Sequence, residues 1–351
     1  MKPVALVTGV VSDHRVEPFR ALHEREHIEI LAWDDPGPPD AGLPVIRVTQ
    51  RQAARAIASG RHRAVVGGLG GRVALPASYA AARRARIPFV LWTSLWAHPR
   101  TPAHALSYLP MRLLYRSADA VVTYGPHVTR YVEMRRSAGN IFEAPQAVDP
   151  ATFGRPVPDD ERAAGRARTG AAPGAFLALF AGRLVPEKGI GVLLEAWGQA
   201  TRPEGSVLAF AGDGPVAVSG EGVRALGRIA RDELPALYAA ADVLVLPSLH
   251  TATFREPWGL VCNEAMLQGT PVIASDAVGA AAGGLVLDGR TGFVVPEGDA
   301  AAVAARMTAL ASSRGLRDRL GQAAREHASA YTPDAWAEGM SRALAAVGAG
   351  A

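Results

Sequence analysis

Short apolar runs alternate with helix-length segments along the chain, and this alternation restricts its fold more than any other feature. The runs are a few residues long and are bounded by Gly and Pro, as in strands that are buried on both faces. Alternating strands and helices predict parallel sheets with right-handed crossovers. The predicted strands are Val4–Thr8, Ile28–Trp33, Ala64–Val66, Pro88–Trp92, Ala120–Thr123, Phe176–Phe180, Val207–Ala211, Val223–Leu226, Val243–Leu246 and Val272–Ala274.

The chain has 351 residues, which is too long for one ordinary core and predicts two domains. We expect a Rossmann-like domain over residues 1–150 and a second over residues 176–330. Residues 151–175 carry Pro, Gly, Asp and Arg without apolar periodicity, which predicts a linker. An amphipathic helix, Asp334–Val347, is expected in the final segment, 331–351. Paired open α/β sheets bind ligands beyond the carboxyl ends of their strands, so a central cleft between the two sheets is the expected site.

The single cysteine, Cys262, excludes a disulfide within the chain and a Cys-rich zinc site. The first residues, Met1–Val11, form an apolar run that is too short for a membrane span and resemble a first strand. We therefore expect a cytoplasmic protein. No Asp-x-Asp pair occurs, so no carboxylate pair is available to hold a divalent cation on a diphosphate. The expectation is an enzyme with no metal or other cofactor.

Charge is distributed unevenly along the chain. Residues 1–150 contain 19 Lys and Arg against 12 Asp and Glu, whereas residues 151–351 contain 18 against 21. A basic first half favours an anionic acceptor or an anionic membrane surface, with peripheral attachment to the inner membrane face, although a solvated basic surface would look the same. No nucleic-acid-binding signature appears. The basic candidates are Arg112, Arg116, Arg130, Arg135 and Arg136.

The segment Arg255–Met266 follows a predicted strand and predicts a helix over Leu260–Leu267 with Gly259 at its start. Eight residues of helix rise about 12 Å. This length matches the span from the sugar to the ribose of a nucleotide sugar. Glu256 could accept hydrogen bonds from a hexose and Glu264 from the ribose. The free N–H groups of the helix start would face the diphosphate. The expected donor-binding residues of this start are Trp258, Gly259, Leu260 and Val261.

A second loop, Gly182–Gly189, carries two cations between a predicted strand and a predicted helix. Arg183 can make a forked contact with a phosphate, and Lys188 supplies a compact charge. The chain contains 35 Arg and only two Lys. A lysine at this position therefore indicates a site that favours an ammonium group.

The spacing of these motifs resembles that of the retaining glycosyltransferase family 4, the group 1 glycosyl transferases, which have the GT-B fold. The resemblance covers about residues 176–330 and is weak before residue 150. It is carried by Gly182-Arg183 with Gly189, by Gly212-Asp213-Gly214-Pro215, by Glu256 with Glu264, and by Gly269–Ser275.

This resemblance implies roles for several residues. Arg183 and Lys188 would bind the donor diphosphate, Glu256 the sugar and Glu264 the ribose. It also implies that the last helix crosses back onto the N-terminal domain. The nucleobase would lie near Arg228 and Ile229. Only a short segment, Val216–Glu221, replaces the helix that usually follows Gly214-Pro215, which leaves the identity of the base open.

The N-terminal half offers candidates for the acceptor side. The family uses a histidine near the reacting sugar, which makes His98 the first candidate and His104 the second. In place of the usual Gly-Gly pair after the first strand, only Gly9 is present to let the backbone approach the diphosphate. His14, Trp92 and Trp96 are expected to contact the acceptor, and packing in the core is an equal alternative for the tryptophans.

Together these features predict a retaining, metal-independent glycosyltransferase that uses a nucleoside diphosphate sugar and a small-molecule, lipid-linked or glycan acceptor. The catalytic set would be His98, Glu256, Arg183 and Lys188. The alternatives are a GT-B epimerase or isomerase of nucleotide sugars and a catalytically silent GT-B binding subunit. A nicotinamide-dependent dehydrogenase is disfavoured, because Val73 stands where the last glycine of the dinucleotide fingerprint would be in the Gly67–Val73 segment.

Overall fold

A computed structural model describes residues 2–68, 70–71, 73–137 and 139–351, and it describes no side chain at positions 103 and 104. The side chain of His104 therefore lies outside the described part. The chain divides into two compact units. The first comprises Met1–Ala147 with Thr332–Ala351, and the second comprises Val148–Tyr331.

The first unit is built on a parallel sheet of seven strands in the order β3-β2-β1-β4-β5-β6-β7. Val4 of the first strand lies opposite both Ile28 and Ala64, which places that strand near the centre. Its core side chains are fully buried, as the apolar runs require. The strands are β1 (Val4–Val10), β2 (Ile28–Asp35), β3 (Val45–Arg47), β4 (Ala64–Gly68), β5 (Phe89–Thr93), β6 (Ala120–Thr123) and β7 (Ile141–Glu143).

Among the described residues of this unit, the strands are connected by the helices α1 (Val16–Glu26), α2 (Gln50–Ala58), α3 (Ala74–Ala85), α4 (Pro102–Ser117) and α5 (Pro126–Glu133). The last helix of the chain, Pro333–Ala346, also belongs to this unit. Its Trp336 is fully buried, with its ring centroid 5.7 Å from Phe19 and 5.4 Å from Trp92. Gly339 allows close packing, because a Cβ there would lie 2.3 Å from the carbonyl oxygen of Glu143.

The second unit is built on a parallel sheet of six strands in the order β10-β9-β8-β11-β12-β13. The strands are β8 (Leu177–Ala181), β9 (Val207–Ala211), β10 (Val223–Gly227), β11 (Val243–Leu246), β12 (Val272–Ser275) and β13 (Gly292–Val295). The helices are α6 (Pro150–Phe153), α7 (Asp159–Thr169), α8 (Ile190–Gln199), α9 (Leu234–Ala240), α10 (Leu260–Leu267), α11 (Gly279–Ala282), α12 (Ala300–Ser312) and α13 (Arg314–Ala328), and the last helix of the chain is α14. The prediction of two parallel α/β domains is confirmed.

The expectation of a linker over residues 151–175 is wrong, because this segment lies within the second unit and contains α7. The helix has acidic residues in its first turn and Arg166 and Arg168 in its last, a charge order that stabilises a helix through its dipole. Only Thr169 of α7 is fully buried, so no apolar stripe marks the helix in the sequence. Gly165 lets it approach α9, because a Cβ there would lie 2.7 Å from the carbonyl oxygen of Ala236.

No helix within the described residues is long and apolar enough to cross a membrane. Within the same residues, no group of three or more His, Cys, Asp or Glu side chains is arranged to hold a metal ion.

Candidate nucleotide-sugar site

The strand order of the second sheet reverses between β8 and β11, so loops at the carboxyl ends of these strands flank a switch point where such folds bind ligands. The loops after β8 and β9 pack directly on each other. A Cβ on Gly212 would lie 1.9 Å from the carbonyl oxygen of Gly182, and the N–H of Leu184 donates to the carbonyl of Asp213 at 2.7 Å. This close packing holds Arg183 at the carboxyl edge of the sheet.

The same loop is also fixed against the end of β11. Gly189 follows the short turn Pro186–Lys188 with a φ of 71°, and a Cβ on it would lie 2.0 Å from the carbonyl oxygen of Pro247. Glycine is required here by both conformation and space. The N–H of Leu249 donates to the carbonyl of Glu187 at 2.8 Å. The position of Lys188 is therefore set by backbone contacts on both sides.

Lys188 and Glu256 form a largely buried ion pair in which the ammonium donates to Oε2 of the carboxylate. The hydroxyl of Ser248 donates to the same oxygen at 3.2 Å, and the ring of Phe254 lies 5.8 Å from the ammonium. Removing one member of such a pair leaves a buried charge without compensation. The sequence indicated each residue separately, but it gave no sign that they pair.

The backbone around Glu256 leads directly into α10. The segment runs beside Val278, to which Glu256 is bridged, and the N–H of Ala280 donates to the carbonyl of Trp258 at 2.7 Å. Gly259 then adopts a φ of 95° at the N-cap of α10. The first N–H groups of a helix have no partner within the helix, so this start can receive an anion.

Trp258 is among the donor-binding residues expected at the start of α10, and its side chain packs inside the second unit. The indole is buried, its Nε1–H donates to Oδ1 of Asn263 at 2.7 Å, and its ring lies 5.9 Å from that of Tyr331. A buried indole needs such a partner for its N–H, and here it finds one inside the fold. Leu260 and Val261 are half-buried in the first turn of α10.

At the other end of this segment, the hydroxyl of Tyr238 on α9 donates to Oε2 of Glu264 at 2.5 Å. Burial raises the pKa of Glu264, and the Tyr238 hydrogen bond and the charge of Arg231 act in the opposite direction. Burial and the adjacent carboxylate raise the pKa of Tyr238 well above its ordinary value. Tyr238 is thus a residue of the site that the sequence did not indicate, because nothing around it distinguishes it from a core aromatic.

The remaining donor candidates are more exposed. Arg183 is exposed and forms no ion pair within the described part of the chain. Arg228 lies at the end of β10, with Nε 3.8 Å from a carboxylate oxygen of Asp213, and Ile229 beside it is half-buried. Residues 214–222 form no helix, in agreement with the short segment in the sequence.

In the first unit, His98 lies beside a cavity of about 580 Å³ that is also lined by Arg100, Tyr108, Tyr131 and Arg135. The rings of His98 and Tyr108 are 5.2 Å apart in an edge-to-face arrangement. This cavity combines aromatic faces with guanidinium groups. It is therefore suited to a hydroxylated or anionic small molecule.

The structure places the other acceptor candidates differently. Trp92 is in the core against Trp336, with the guanidinium carbon of Arg15 4.5 Å from its ring centroid, so its position agrees with the core packing that was the alternative to an acceptor contact. Trp96 packs edge-to-face on His127 at 4.9 Å.

The two candidates after β1 have local contacts. Nε2 of His14 lies 3.3 Å from the hydroxyl of Ser12. Gly9 packs under the indole of Trp33, where a Cβ would lie 3.2 Å from the ring. A side chain at position 9 would therefore press on Trp33, which gives Gly9 a packing role beside its expected contact with the diphosphate.

Two of the basic candidates are also not available as surface charges. Arg136 is buried, and its NH1 group donates to the carbonyls of Tyr115 and Ala118 at 2.9 and 2.8 Å. Arg135 is half-buried, and its guanidinium carbon lies 3.5 Å from the centroid of the Tyr131 ring. Arg112, Arg116 and Arg130 are exposed.

Residues 175–313 match the family model described as glycosyl transferases group 1. The chain is 36% identical over 217 residues to a D-inositol 3-phosphate glycosyltransferase of Streptomyces bingchenggensis, with 52% of this chain and 45% of that protein covered. It is 33% identical over 267 residues to the protein of the same name from Mycolicibacterium gilvum, with 70% and 57% covered. The match therefore spans about half the length of these curated relatives.

Solved structures resemble the fold over nearly the whole chain. Anabaena Alr3699/HepE in complex with UDP and glucose matches with a TM-score of 0.78 at 19% identity, covering 98% of this chain and 100% of that one. WaaG, a glycosyltransferase involved in lipopolysaccharide biosynthesis, matches with a TM-score of 0.71 at 16% identity, covering 97% and 99%. These similarities, with the seven- and six-stranded parallel sheets, identify the fold as GT-B.

Proposed function

We propose that this chain is a retaining, metal-independent glycosyltransferase of the family 4 type that transfers a sugar from a nucleoside diphosphate sugar to an acceptor hydroxyl. The observation that carries the proposal is the arrangement around α10. Two carboxylates, Glu256 and Glu264, lie eight residues apart in the sequence on either side of the helix start, and the Lys188 ammonium donates a hydrogen bond to Glu256. This arrangement matches the succession of sugar, diphosphate and ribose in one donor molecule.

Each part of the donor would meet a group of suitable chemistry. Lys188, Arg183 and the N–H groups at the start of α10 would bind the diphosphate and stabilise the charge that develops on it as the glycosidic bond breaks. Glu256 would accept hydrogen bonds from sugar hydroxyls. When the donor binds, the Lys188 ammonium would donate hydrogen bonds both to Glu256 and to a phosphate oxygen.

The ribose end relies on Glu264, whose carboxylate would accept hydrogen bonds from the two ribose hydroxyls. Arg228 and Ile229 would lie beside the base. On the acceptor side, His98 would lie near the reacting sugar as a catalytic residue, the cavity beside it would hold the acceptor, and Gly9 would let the backbone approach the diphosphate. Retention would follow from attack on the face that the leaving group vacates.

The similar proteins indicate which substrates to test first. Structural neighbours hold UDP and glucose, and the curated relatives are named D-inositol 3-phosphate glycosyltransferases. UDP-glucose is therefore the first donor to test and D-inositol 3-phosphate the first acceptor. Because bound ligand raises the unfolding temperature by mass action, a thermal-shift screen of nucleotide sugars would identify the donor before any acceptor is known.

Two other functions remain to be separated by experiment. Incubation of the identified donor without an acceptor should yield slow hydrolysis in a glycosyltransferase. Conversion of the donor into an epimer would instead identify a nucleotide-sugar epimerase of GT-B fold. A donor that is bound but neither hydrolysed, epimerised nor transferred would identify a catalytically silent binding subunit, which donor hydrolysis would exclude.

We also propose a cytoplasmic location with peripheral attachment to the inner face of the membrane. The support is the excess of basic residues in the first half of the sequence, together with the exposure of Arg112, Arg116 and Arg130.

A further inference from the structure

The outward side of α4 carries large apolar side chains that the fold leaves uncovered. Leu106, Leu109 and Leu113 are 83%, 69% and 61% exposed. Their spacing of three and four residues places them on one side of the helix. On the opposite side, Leu114 and Tyr115 are buried in the core of the first unit. The helix therefore has two apolar faces, and the fold covers only one of them.

Arginines border this uncovered face. Arg112 and Arg116 are both exposed and lie one helical turn apart on the same helix. Arg100, also exposed, precedes the helix, and Arg83 donates to the carbonyl of Ser117 at its end. We name the set Leu106, Leu109, Leu113, Arg112 and Arg116 the α4 face.

The sequence around the α4 face contains basic residues but no acidic ones. Residues 41–118 contain twelve Arg and no Asp or Glu. The first acidic residue after them, Asp119, forms an ion pair with Arg83. The α4 face therefore combines outward leucines with arginines and has no acidic residues nearby in the sequence. These features fit a surface whose outer layer is negatively charged and whose interior is apolar.

We propose, resting on the peripheral membrane attachment proposed above, that the α4 face docks on an anionic lipid bilayer, with the three leucines inserted at the boundary of headgroups and acyl chains and the arginines on the lipid phosphates. A second copy of this chain fits the face less well. A two-fold contact brings the same patch of each copy together, so Arg112 and Arg116 of both copies would be concentrated in one contact without acidic partners. Docking would also affect the candidate acceptor site, because Ala105 and Tyr108 of α4 line the cavity beside His98.

The test is flotation of the full chain with vesicles of phosphatidylcholine alone or of phosphatidylcholine with phosphatidylglycerol. The wild-type chain should bind the anionic vesicles more tightly, and salt should weaken this binding. The double variant Arg112→Gln/Arg116→Gln should lose roughly 30-fold in affinity, at about fivefold per arginine. The triple variant Leu106→Gln/Leu109→Gln/Leu113→Gln should lose about 1,000-fold in affinity, at roughly tenfold for each inserted leucine.

Matched control variants distinguish binding by the α4 face from non-specific adsorption to vesicles. Ile46→Gln changes an exposed apolar residue on β3, at the far edge of the same sheet, and Arg314→Gln changes an exposed arginine on α13. Both controls should bind vesicles like the wild type. The altered α4 side chains are exposed, so all variants should unfold at the wild-type temperature.

Equal binding to neutral and anionic vesicles, or unchanged binding by the triple variant, would overturn the proposal. A third result would also overturn it: the wild-type chain fails to bind vesicles and sediments as a dimer, and the triple variant sediments as a monomer. The α4 face would then join two copies of the chain. No nucleotide sugar is needed, so the result is independent of the proposed glycosyl transfer.

Discussion

The hydrogen bond from Tyr238 should partly offset the rise that burial causes in the pKa of Glu264, and Tyr238→Phe isolates this effect. The substitution removes one hydroxyl and leaves the ring, so the packing of α9 should be preserved. The lost interaction is a 2.5 Å hydrogen bond to a carboxylate oxygen. A hydrogen bond to a charged group contributes about 1.5–3 kcal/mol. We expect the free energy of unfolding at pH 8 to fall by about this amount, since the ionised carboxylate loses a donor in a buried place.

The pH dependence gives a second, independent readout. Because the pKa of Glu264 is raised by burial, its contribution to stability is fully present below its ordinary pKa and is lost as pH rises through the raised pKa. The hydrogen bond from Tyr238 opposes that rise. Without it, the pKa of Glu264 should be higher still, and the loss of stability with rising pH should be larger.

The assay is thermal or denaturant unfolding of both proteins from pH 5 to pH 8, followed by titration with UDP. Tyr238→Phe should match the wild type most closely at pH 5 and differ most at pH 8, and its affinity for UDP should fall at pH 8. Thr270, whose hydroxyl donates to the Tyr238 carbonyl at 2.7 Å, provides a control in Thr270→Ser, which keeps that bond and leaves Glu264 untouched. A stability difference that is the same at every pH would refute the link to Glu264.

Three further predictions follow from the site. Excess chelator should leave donor turnover unchanged, and a loss of activity that Mg²⁺ or Mn²⁺ restores would contradict metal independence. Gly189→Ala should lower the unfolding temperature more than Gly298→Ala, because both glycines have positive φ but only a Cβ at 189 would meet a backbone carbonyl, at 2.0 Å; equal shifts would disprove the packing argument. Arg183→Gln should weaken UDP binding by about tenfold without changing stability, since the side chain is exposed, and Arg314→Gln on α13 should change neither.

Much of the fold could be predicted because its strands are buried on both faces and therefore appear as apolar runs. The same reasoning missed β3 and β7, which are edge strands of three residues and too short to show a pattern, and it also missed β13, a largely buried edge strand of four residues. It missed α7 because that helix is stabilised by charge order and close backbone packing, with no apolar stripe. Patterns of hydrophobicity identify buried segments, and burial does not define β3, β7 or α7.

For the site, the loops after strands indicated Lys188 and Glu256, which the structure brings into contact, whereas the positions of individual aromatic and basic side chains could not be predicted. Trp92 was expected to contact the acceptor or to pack in the core, and its ring is buried in the core, as is the indole of Trp258. Arg136 was predicted to meet an anion, yet it binds carbonyl oxygens inside the first unit. The ring of a tryptophan and the fork of an arginine suit both a core and a ligand, so only the tertiary structure decides.

The most direct test of the account compares Glu256→Gln with Glu264→Gln, first by calorimetric titration with free UDP and then by transfer from the identified donor. Both substitutions preserve shape and remove charge. Glu264→Gln should bind free UDP about ten- to a hundredfold more weakly, because ribose is part of that ligand. Glu256→Gln should bind UDP at least as well as the wild type, because the Lys188 ammonium that pairs with Glu256 stays available to the diphosphate, and it should lose turnover, because the sugar loses its carboxylate partner. If Glu256→Gln loses UDP affinity and Glu264→Gln keeps it, the two ends of the site are assigned the wrong way round; if neither variant differs from the wild type, α10 does not bind a nucleotide sugar.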